Sequence, residues 1–467
     1  MQSNDQMNPQ VEGDGRQNQA NRPNVVVLGA GFGGLWAARA LAEGPVNLTL
    51  VDRRNYHTFM PLLYQVGAAL LDPEDIAQPL REVFWNRPNV HFFLGEVQQI
   101  DFSAKVVRLK DHELHYDYLV FALGSRPFFF GTPGADENAF TLKTLDQAIV
   151  LRNQILTCFE RAASEENAGL RQARLTFTII GGGPSGVEFA GALRELIKGS
   201  LDKDFPNLDF KQVRVVLLEA ADHLLEGLPK ELGDYTRKRL TDMGVEVRLS
   251  SQVVAIHPDE VLLKDGSRIS TETVIWTAGV HGNIPGNQGE LTTNHRNQAA
   301  VLPTLQAPDH PEVYIIGDLA EIQQNGHPLP MVAQVAMQSG TAAARNILRQ
   351  IQGQAPVPFQ YHDLGTLDVI GRNSAVAFIW GRSFQGFPAW VIWVAVHIFN
   401  LIGFRNRLLV MINWAWDYLF SEHGVRLIVP SYFSLLKETT PASSTPAKEE
   451  QIPAGDGLKN PQDAITR

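Results

Sequence analysis

The stretch NVVVLGAGFGG, Asn24–Gly34, decides the fold. Its β-branched run Val25–Val27 favours an extended strand, and the glycines that follow permit a turn too tight for a side chain. From Gly34 to Ala42 the apolar residues return at helical spacing, and Asn47–Val51 (NLTLV) reads as the next strand. The same order recurs in Leu175–Gly181 (LTFTIIG), the helical pattern of Gly186–Leu196, and Val213–Leu218 (VRVVLL). Asp117–Gly124 (DYLVFALG) and Glu272–Gly279 (ETVIWTAG) each close a repeat with a short apolar strand and a small-residue turn. Units of this order build parallel sheets through right-handed crossovers, so one architecture occurs twice in the chain.

Each repeat carries the chemistry of a phosphate cradle. In Gly29-Ala30-Gly31-Phe32-Gly33-Gly34, the first glycine allows the turn and Gly31 lets backbone approach a pyrophosphate. Gly34 lets the helix pack close to the strand, with its N-terminus toward the phosphate charge. Asp52 ends the next strand, where a carboxylate bonds ribose hydroxyls. The second cradle uses Gly181, Gly183 and Gly186, with Glu219 as its strand-end acid. Glu219 lies 33 residues beyond Gly186, where about 20 is usual, which implies a polar insertion around Ser200–Lys211 containing Pro206. A carboxylate there accepts from a free 2′-hydroxyl and repels a 2′-phosphate, favouring NADH over NADPH. Two cradles mean two dinucleotides, most economically a held flavin and a visiting nicotinamide. Ile316-Gly317-Asp318-Leu319-Ala320 fits that pairing, since Asp318 follows a strand and can accept a ribitol hydroxyl of FAD. Read alone, it is equally an Asx turn.

The fold class is therefore α/β: two Rossmann-like dinucleotide-binding domains, the second inserted in the first, plus a C-terminal membrane-associating helical segment. We place a disordered tail at 1–22 and the first part of the FAD-binding domain at 23–145. The NADH-binding domain spans 146–285, the second part of the FAD-binding domain 286–375, the membrane-associating segment 376–436, and a second tail 437–467. The Asn/Gln-rich start has no apolar run of the kind a signal peptide needs. With 467 residues the chain has length for about three domains at ~150 residues each. A net charge of −10 argues against a nucleic-acid partner. Cys158 is the single cysteine, which excludes an internal disulfide, a redox dithiol and a Cys-based zinc or iron–sulfur site; no metal is expected.

Residues 371–430 hold five of the eight tryptophans, five arginines and no lysine against Asp417 and Glu422, a local +3. Ala389–Phe404 is sixteen residues, ~24 Å as a helix and short of the ~20 residues a span needs. A second apolar stretch, Leu408–Phe420, follows Arg405 and Arg407. Such helices suit the membrane interface, with rings at headgroup level and guanidiniums on phosphates; a buried hairpin or dimer interface is the alternative.

Taken together the motifs resemble the two-dinucleotide flavoproteins, and within them the type II NADH:quinone oxidoreductases. The most specific are Pro61-Leu-Leu-Tyr-Gln65, the helix Ala333-Gln-Val-Ala-Met-Gln338 and Gly403-Phe-Arg-Asn-Arg407. The resemblance implies non-covalent FAD on Gly29–Gly34, Asp52, Arg53, Val97, Asp318, Ala336 and Met337, and NADH on Gly181–Gly186, Glu188 and Glu219. It implies hydride transfer from NADH to FAD, then two-electron reduction of a membrane quinone without proton pumping, by a peripheral (monotopic) protein on the cytoplasmic face. A homodimer is compatible with it. Glu188 resembles the family's carboxylate near the nicotinamide and quinone route, yet Ser185-x-x-Glu188 also reads as a helix capping box. Gln334 and Gln338 share a helix face and have amides to offer a quinone carbonyl, although such pairs are usually solvated. Some relatives place a lysine from the C-terminal helix near the flavin, where this sequence offers only His397 and Asn400. The competing readings are a soluble FAD-dependent reductase of a ferredoxin or rubredoxin, and a flavin- and NADH-binding redox sensor. Disulfide reductases and sulfide:quinone reductases need cysteines that this chain lacks.

Overall fold

Val25–Leu28 are buried on both faces, so the opening run is a central strand rather than an edge. A computed structural model describes residues 22–285, 291–420 and 425–429. These belong to one compact unit, 1–428, apart from Val429, where a second unit begins. The tails expected at 1–22 and 437–467 lie outside the described residues, Arg22 excepted.

Strand β1 (Asn24–Leu28) turns into α1 (Phe32–Leu41), followed by β2 (Asn47–Asp52), β3 (Val90–Leu94) and β4 (Tyr118–Phe121). The next stretch contributes β5 (Ala139–Thr141), α2 (Leu145–Ser164), β6 (Thr176–Ile180), α3 (Pro184–Leu196), β7 (Arg214–Leu218), β8 (Val245–Arg248) and β9 (Thr273–Trp276). The chain then adds β10 (Gln306–Ala307), β11 (His310–Ile315) and α4 (Ala333–Ile351). Three antiparallel strands, β12 (Thr366–Gly371), β13 (Ser374–Ile379) and β14 (Arg382–Gly386), lead into α5 (Phe387–Asn400) and α6 (Phe404–Phe420).

The first sheet runs β10-β11-β4-β1-β2-β3 and is parallel except at β10. Leu119 of β4 pairs with Val313 of β11, although all of β5–β9 intervenes in the chain. The second sheet, β5-β9-β6-β7-β8, is wholly parallel. Strand order reverses beside β1 in one sheet and beside β6 in the other, and ligands of open α/β sheets bind outside the strand C-termini at such points. Both cradles open there.

Helices α1 and α4 cross almost backbone to backbone, since a Cβ on Gly340 would strike the Gly33 carbonyl. That contact brings the start of α4 to the first cradle. The expected insertion begins while α3 is still helical, as a π turn over Ile197–Leu201. Its Phe205 and Phe210 then pack on Phe159 of α2 at 5.8 and 6.0 Å between ring centres.

The C-terminal segment differs in detail from the expected one. The first apolar helix stops at Asn400 rather than Phe404, and α6 starts at Phe404. Arg407 donates to the Leu401 and Phe399 carbonyls at 2.7 and 2.8 Å, so it closes the turn between the helices. Trp393 and Trp414 stand 5.3 Å apart facing inward, and Trp414 Nε1 donates to Gln65 Oε1 at 2.9 Å. Of the five tryptophans only Trp380 and Trp416 are well exposed. An indole N–H buried with a partner is a packing anchor, not a headgroup contact. Among the described residues no helix is long and apolar enough to cross a membrane.

Candidate active site

The two cradles repeat each other bond for bond. Gly29 sits at φ +94° and Gly181 at φ +109°, backbone that L side chains rarely adopt. In the first, Ala30 N–H donates to Asp52 Oδ2 at 2.7 Å and Arg54 N–H to Oδ1 at 2.8 Å. In the second, Gly182 N–H donates to Glu219 Oε2 at 2.6 Å and Ala221 N–H to Oε1 at 2.7 Å. Each acid therefore braces its glycine loop, and each oxygen keeps a further lone pair for a ribose hydroxyl. A Cβ on Gly34 or Gly186 would collide with the carbonyl of Gly29 or Gly181, whereas Gly31 and Gly183 have no protein atom within 4 Å. The open pair leaves room for a ligand to approach the backbone, and the crowded pair sets the helix against the strand. His57, buried under the first loop, donates from Nδ1 to the Ala30 carbonyl at 2.8 Å. Burial pulls its pKa down to about 4, so it braces the loop as a neutral ring.

From the first cradle a cleft of about 740 Å³ runs between the sheets, within the range of cofactor sites. Gly29–Gly33, Asp52, Arg53, Val97, Asp318 and Ala336 line it; Met337 does not, and lies half-buried against the core. Asp318 Oδ2 accepts from Ser125 Oγ at 2.6 Å, and Arg53 is an exposed side chain 3.8 Å from Glu96. Met331, Val332 and Ala333 also line the cleft, and Val332 at the start of α4 makes no side-chain cap bond. The helix N-terminus thus presents unbonded N–H groups to the cleft.

At the far end α3 joins the two cradles. It starts from Gly183, and one turn on Pro184, Ser185 and Glu188 form part of the cleft wall. The capping box expected at Ser185-x-x-Glu188 is not formed. Gly183 is the N-cap with Pro184 as first residue, so Ser185 already lies inside the helix. Glu188 instead faces the cleft and, behind it, a second cavity of about 80 Å³ walled by Tyr64, Gln65, Trp390, Trp393 and Trp414. Burial, and then the nearby Asp368, push the Glu188 carboxyl well above the ordinary range, while the Val369 N–H pulls the other way. Tyr64 is raised too, by burial and then by Glu188.

Of the two candidates that the sequence offered on the C-terminal helix, His397 is the one that reaches the cleft. It lines the cleft, stacks on Trp393 at 4.1 Å and bonds the Trp393 carbonyl through Nδ1 at 2.7 Å. Burial lowers its pKa to about 4, so it faces the cleft as a neutral ring. Asn400 turns back to the Val396 carbonyl and is absent from the lining.

Gln334 and Gln338 do share a face of α4, but neither lines the cleft. Gln334 Nε2 donates to the Gly365 carbonyl at 2.9 Å and its Oε1 accepts from Leu364 N–H at 3.2 Å. Gln338 bonds His362 likewise, at 2.8 Å to the carbonyl and 3.0 Å from the N–H. Each amide stands in for a strand neighbour to residues 361–365, which pair with no strand. The quinone contact assigned to the pair has no free amide group directed at the cleft. Gln338→Ala is expected to cost about 0.5–1.5 kcal/mol, because two exposed backbone groups exchange the amide for water. Protease cleavage near 361–365 should accelerate in this variant, and unchanged cleavage with unchanged melting removes the clamp.

Comparison with known proteins places this geometry. Residues 23–340 match a family model described as pyridine nucleotide-disulphide oxidoreductase, and residues 363–423 one described as NDH2 C-terminal domain. The type II NADH:quinone oxidoreductase Ndh of Mycobacterium tuberculosis is 35% identical over 433 residues, 90% of this chain and 92% of the relative. The chain belongs to the type II NADH:quinone oxidoreductase family. The structure of NDH2 from Plasmodium falciparum in complex with NADH superposes with a TM-score of 0.77 at 18% identity, over 88% of this chain and all of that one. The sulfide:quinone oxidoreductase of Aquifex aeolicus shares the fold with a TM-score of 0.65 at 21% identity, over 90% of this chain and 95% of that one. Membership in the NADH:quinone branch accords with the single cysteine, Cys158, which is buried on α2 against Thr273 and away from the cleft. Asp368 and Tyr64 were missed as site residues in the sequence. An acid inside the apolar strand Thr366–Gly371 was the available signal for the first.

Proposed function

We propose that this protein oxidises NADH and reduces a membrane quinone, with FAD held in the cleft between. The observation that carries this reading is α3. The helix that opens the nicotinamide cradle also walls the flavin cleft, so the two ligands' reactive ends converge near Glu188. Bound FAD supplies a two-electron carrier between a hydride donor and a quinone. The residues fit that group: Gly31 leaves room for pyrophosphate, Asp52 and Asp318 offer carboxylates to sugar hydroxyls, and Val332–Ala333 present the positive end of a helix. Arg53, Val97 and Ala336 complete the lining. Gly181, Gly183, Gly186 and Glu219 hold NADH. Burial and the nearby Asp368 favour the protonated form of the Glu188 carboxyl, the form that can give a proton away.

Helices α5 and α6 would rest on the cytoplasmic face of the membrane, where a long-tailed quinone is available. Their outward residues Phe399, Phe404 and Leu419 are 76%, 81% and 72% exposed, an apolar face that water does not favour. Purified protein tests the whole reading: it should carry a flavin spectrum, and NADH oxidation should depend on added short-chain quinone. Oxidation that ignores quinone but follows a ferredoxin or rubredoxin would replace it with the soluble reductase.

NADH should be preferred over NADPH on the order of 100-fold in kcat/KM, because Glu219 is pinned by two N–H groups and cannot swing away from a 2′-phosphate. Glu219→Gln keeps one acceptor and removes the repulsion, so the ratio should shrink about tenfold or more. Steady-state rates with both cofactors decide it, and an unchanged ratio removes Glu219 as the selector.

A further inference from the structure

The reaction proposed above consumes one more proton than NADH supplies. NADH, a proton and a quinone become NAD⁺ and a quinol, so hydride transfer brings two electrons and one proton. The other must enter from the protein or from water. Glu188 alone is not the whole of the acidic equipment at this point. Asp368, on β12, lines the cleft beside it, is 3% exposed, and its Oδ2 has no hydrogen-bond partner among the described residues. A buried carboxylate oxygen without a partner is costly when ionised, and two neighbouring carboxyls in an enclosed site cannot both ionise cheaply. After burial itself, Asp368 is the strongest influence raising Glu188.

We propose that Asp368 and Glu188 form a carboxyl pair that shares one proton and delivers it to the quinone oxygen. In that step a carboxyl O–H bond breaks as the quinone O–H forms, the electrons coming from the reduced flavin, and water returns the proton to the pair. Asp368 lines the cleft and not the Trp-walled cavity, whereas Glu188 reaches both. The pair thus lies where a proton from the second cavity meets the substrate side.

The surroundings leave the pair as the titrating unit. Tyr64 is raised by burial and stays protonated, and His397 on α5, at about 4, is neutral near pH 7. Glu195, two turns along α3, accepts from the Arg372 N–H. Arg372 and Asp417 line the outer cavity, and Tyr235 and Arg239 reach the sheet from the helix Lys230–Met243, bonding Ser374 and the Arg372 carbonyl. Burial raises Asp368 itself to about 7 from an ordinary 3.8. Between those values the folded chain binds a proton that the unfolded chain has released. The stability this lends is full below about pH 4 and is lost as pH rises toward 7.

The test uses FAD-loaded wild type, Asp368→Asn, Asp368→Glu and Glu188→Gln. Pre-reduced enzyme is mixed rapidly with a short-chain quinone from pH 5.5 to 9. Wild type should slow as pH rises through about 7. Asp368→Asn should be about ten- to a hundredfold slower at pH 6 with no such slope, and Asp368→Glu should restore the slope. Melting gives a second readout without turnover. The melting temperature of Asp368→Asn should gain on wild type as pH rises from 5 to 8, since asparagine does not titrate. A wild-type pH profile in Asp368→Asn, or a melting difference that ignores pH, overturns the pair. If Asp368→Asn loses flavin, Glu188→Gln decides: its pH midpoint should fall as the like charge is removed, and an unmoved midpoint overturns the pair. The inference rests on the quinone reading, and the two fail separately. Wild-type enzyme that cannot reduce quinone at all sinks the reading, whatever Asp368 does.

Discussion

Gly34→Ala should yield protein that neither holds FAD nor melts where wild type does. The added Cβ points at the Gly29 carbonyl, closer than any real contact allows. That carbonyl cannot retreat. Gly29 N–H is tied to the Val51 carbonyl at 2.8 Å, and Gly29 itself already stands against the backbone of Ala122. Helix α1 must therefore shift, and it cannot do so freely because Gly33 carries α4 on its other side. Overpacking of this kind costs about 1–3 kcal/mol, and moving the cradle should weaken FAD by at least tenfold more. Gly31→Ala is the matched control. Its Cβ meets no protein atom within 4 Å, so the apoprotein should melt like wild type while FAD binding falls. Flavin-to-protein ratio and apoprotein melting temperature, measured on both variants, separate the two effects. Equal melting for Gly34→Ala and wild type would show that the α1 contact is not what the glycine protects.

Why the cradles were legible and other parts of the site were not follows from the range of the interactions. A glycine turn between a β-branched strand and a helix is a local demand, written within a dozen residues. The strand-end acids follow from the same unit. The capping box misled because Pro184 starts the helix at Gly183, two residues before the serine that the motif would use as its cap. Gln334 and Gln338 were placed correctly on one face, but their partners lie in 361–365, a stretch without periodicity that gives no sign of needing a clamp. Asp368 is harder still. The one hint in Thr366-Leu-Asp-Val-Ile-Gly371 is an acid within an apolar run, and that alone does not separate a carboxyl aimed into a cleft from one on a solvated strand face, because the partner is 180 residues away on α3.

Phe399→Ser, Phe404→Ser and Leu419→Ser together should release the protein from lipid vesicles while FAD and quinone chemistry in solution persist. The sequence places rings at headgroup level and guanidiniums on phosphates, and the structure leaves fewer guanidiniums for that role. Arg407 closes the turn onto Leu401 and Phe399, Arg426 is 2.9 Å from Asp204, and Arg372 bonds the Asp417 carbonyl. Arg382 and Arg405 remain exposed, and two screened charges contribute about 1 kcal/mol each near an anionic surface. Fully burying a Phe or Leu side chain is worth about 1.5–3 kcal/mol, so three of them outweigh those charges severalfold. Binding to zwitterionic vesicles should accordingly survive raised salt, and the triple variant should lose on the order of 100-fold or more in partitioning even if insertion is partial. Cutting the chain near Ala375 is a poorer experiment, because Ala375 lies inside β13 and the cut would split the sheet beneath α5. The serine variants alter only outward residues and leave Trp393, Trp414 and the cavity they wall in place. Sedimentation with vesicles decides the matter. A folded, flavin-bearing triple variant that still pellets as wild type does would put the anchor elsewhere than on α5 and α6.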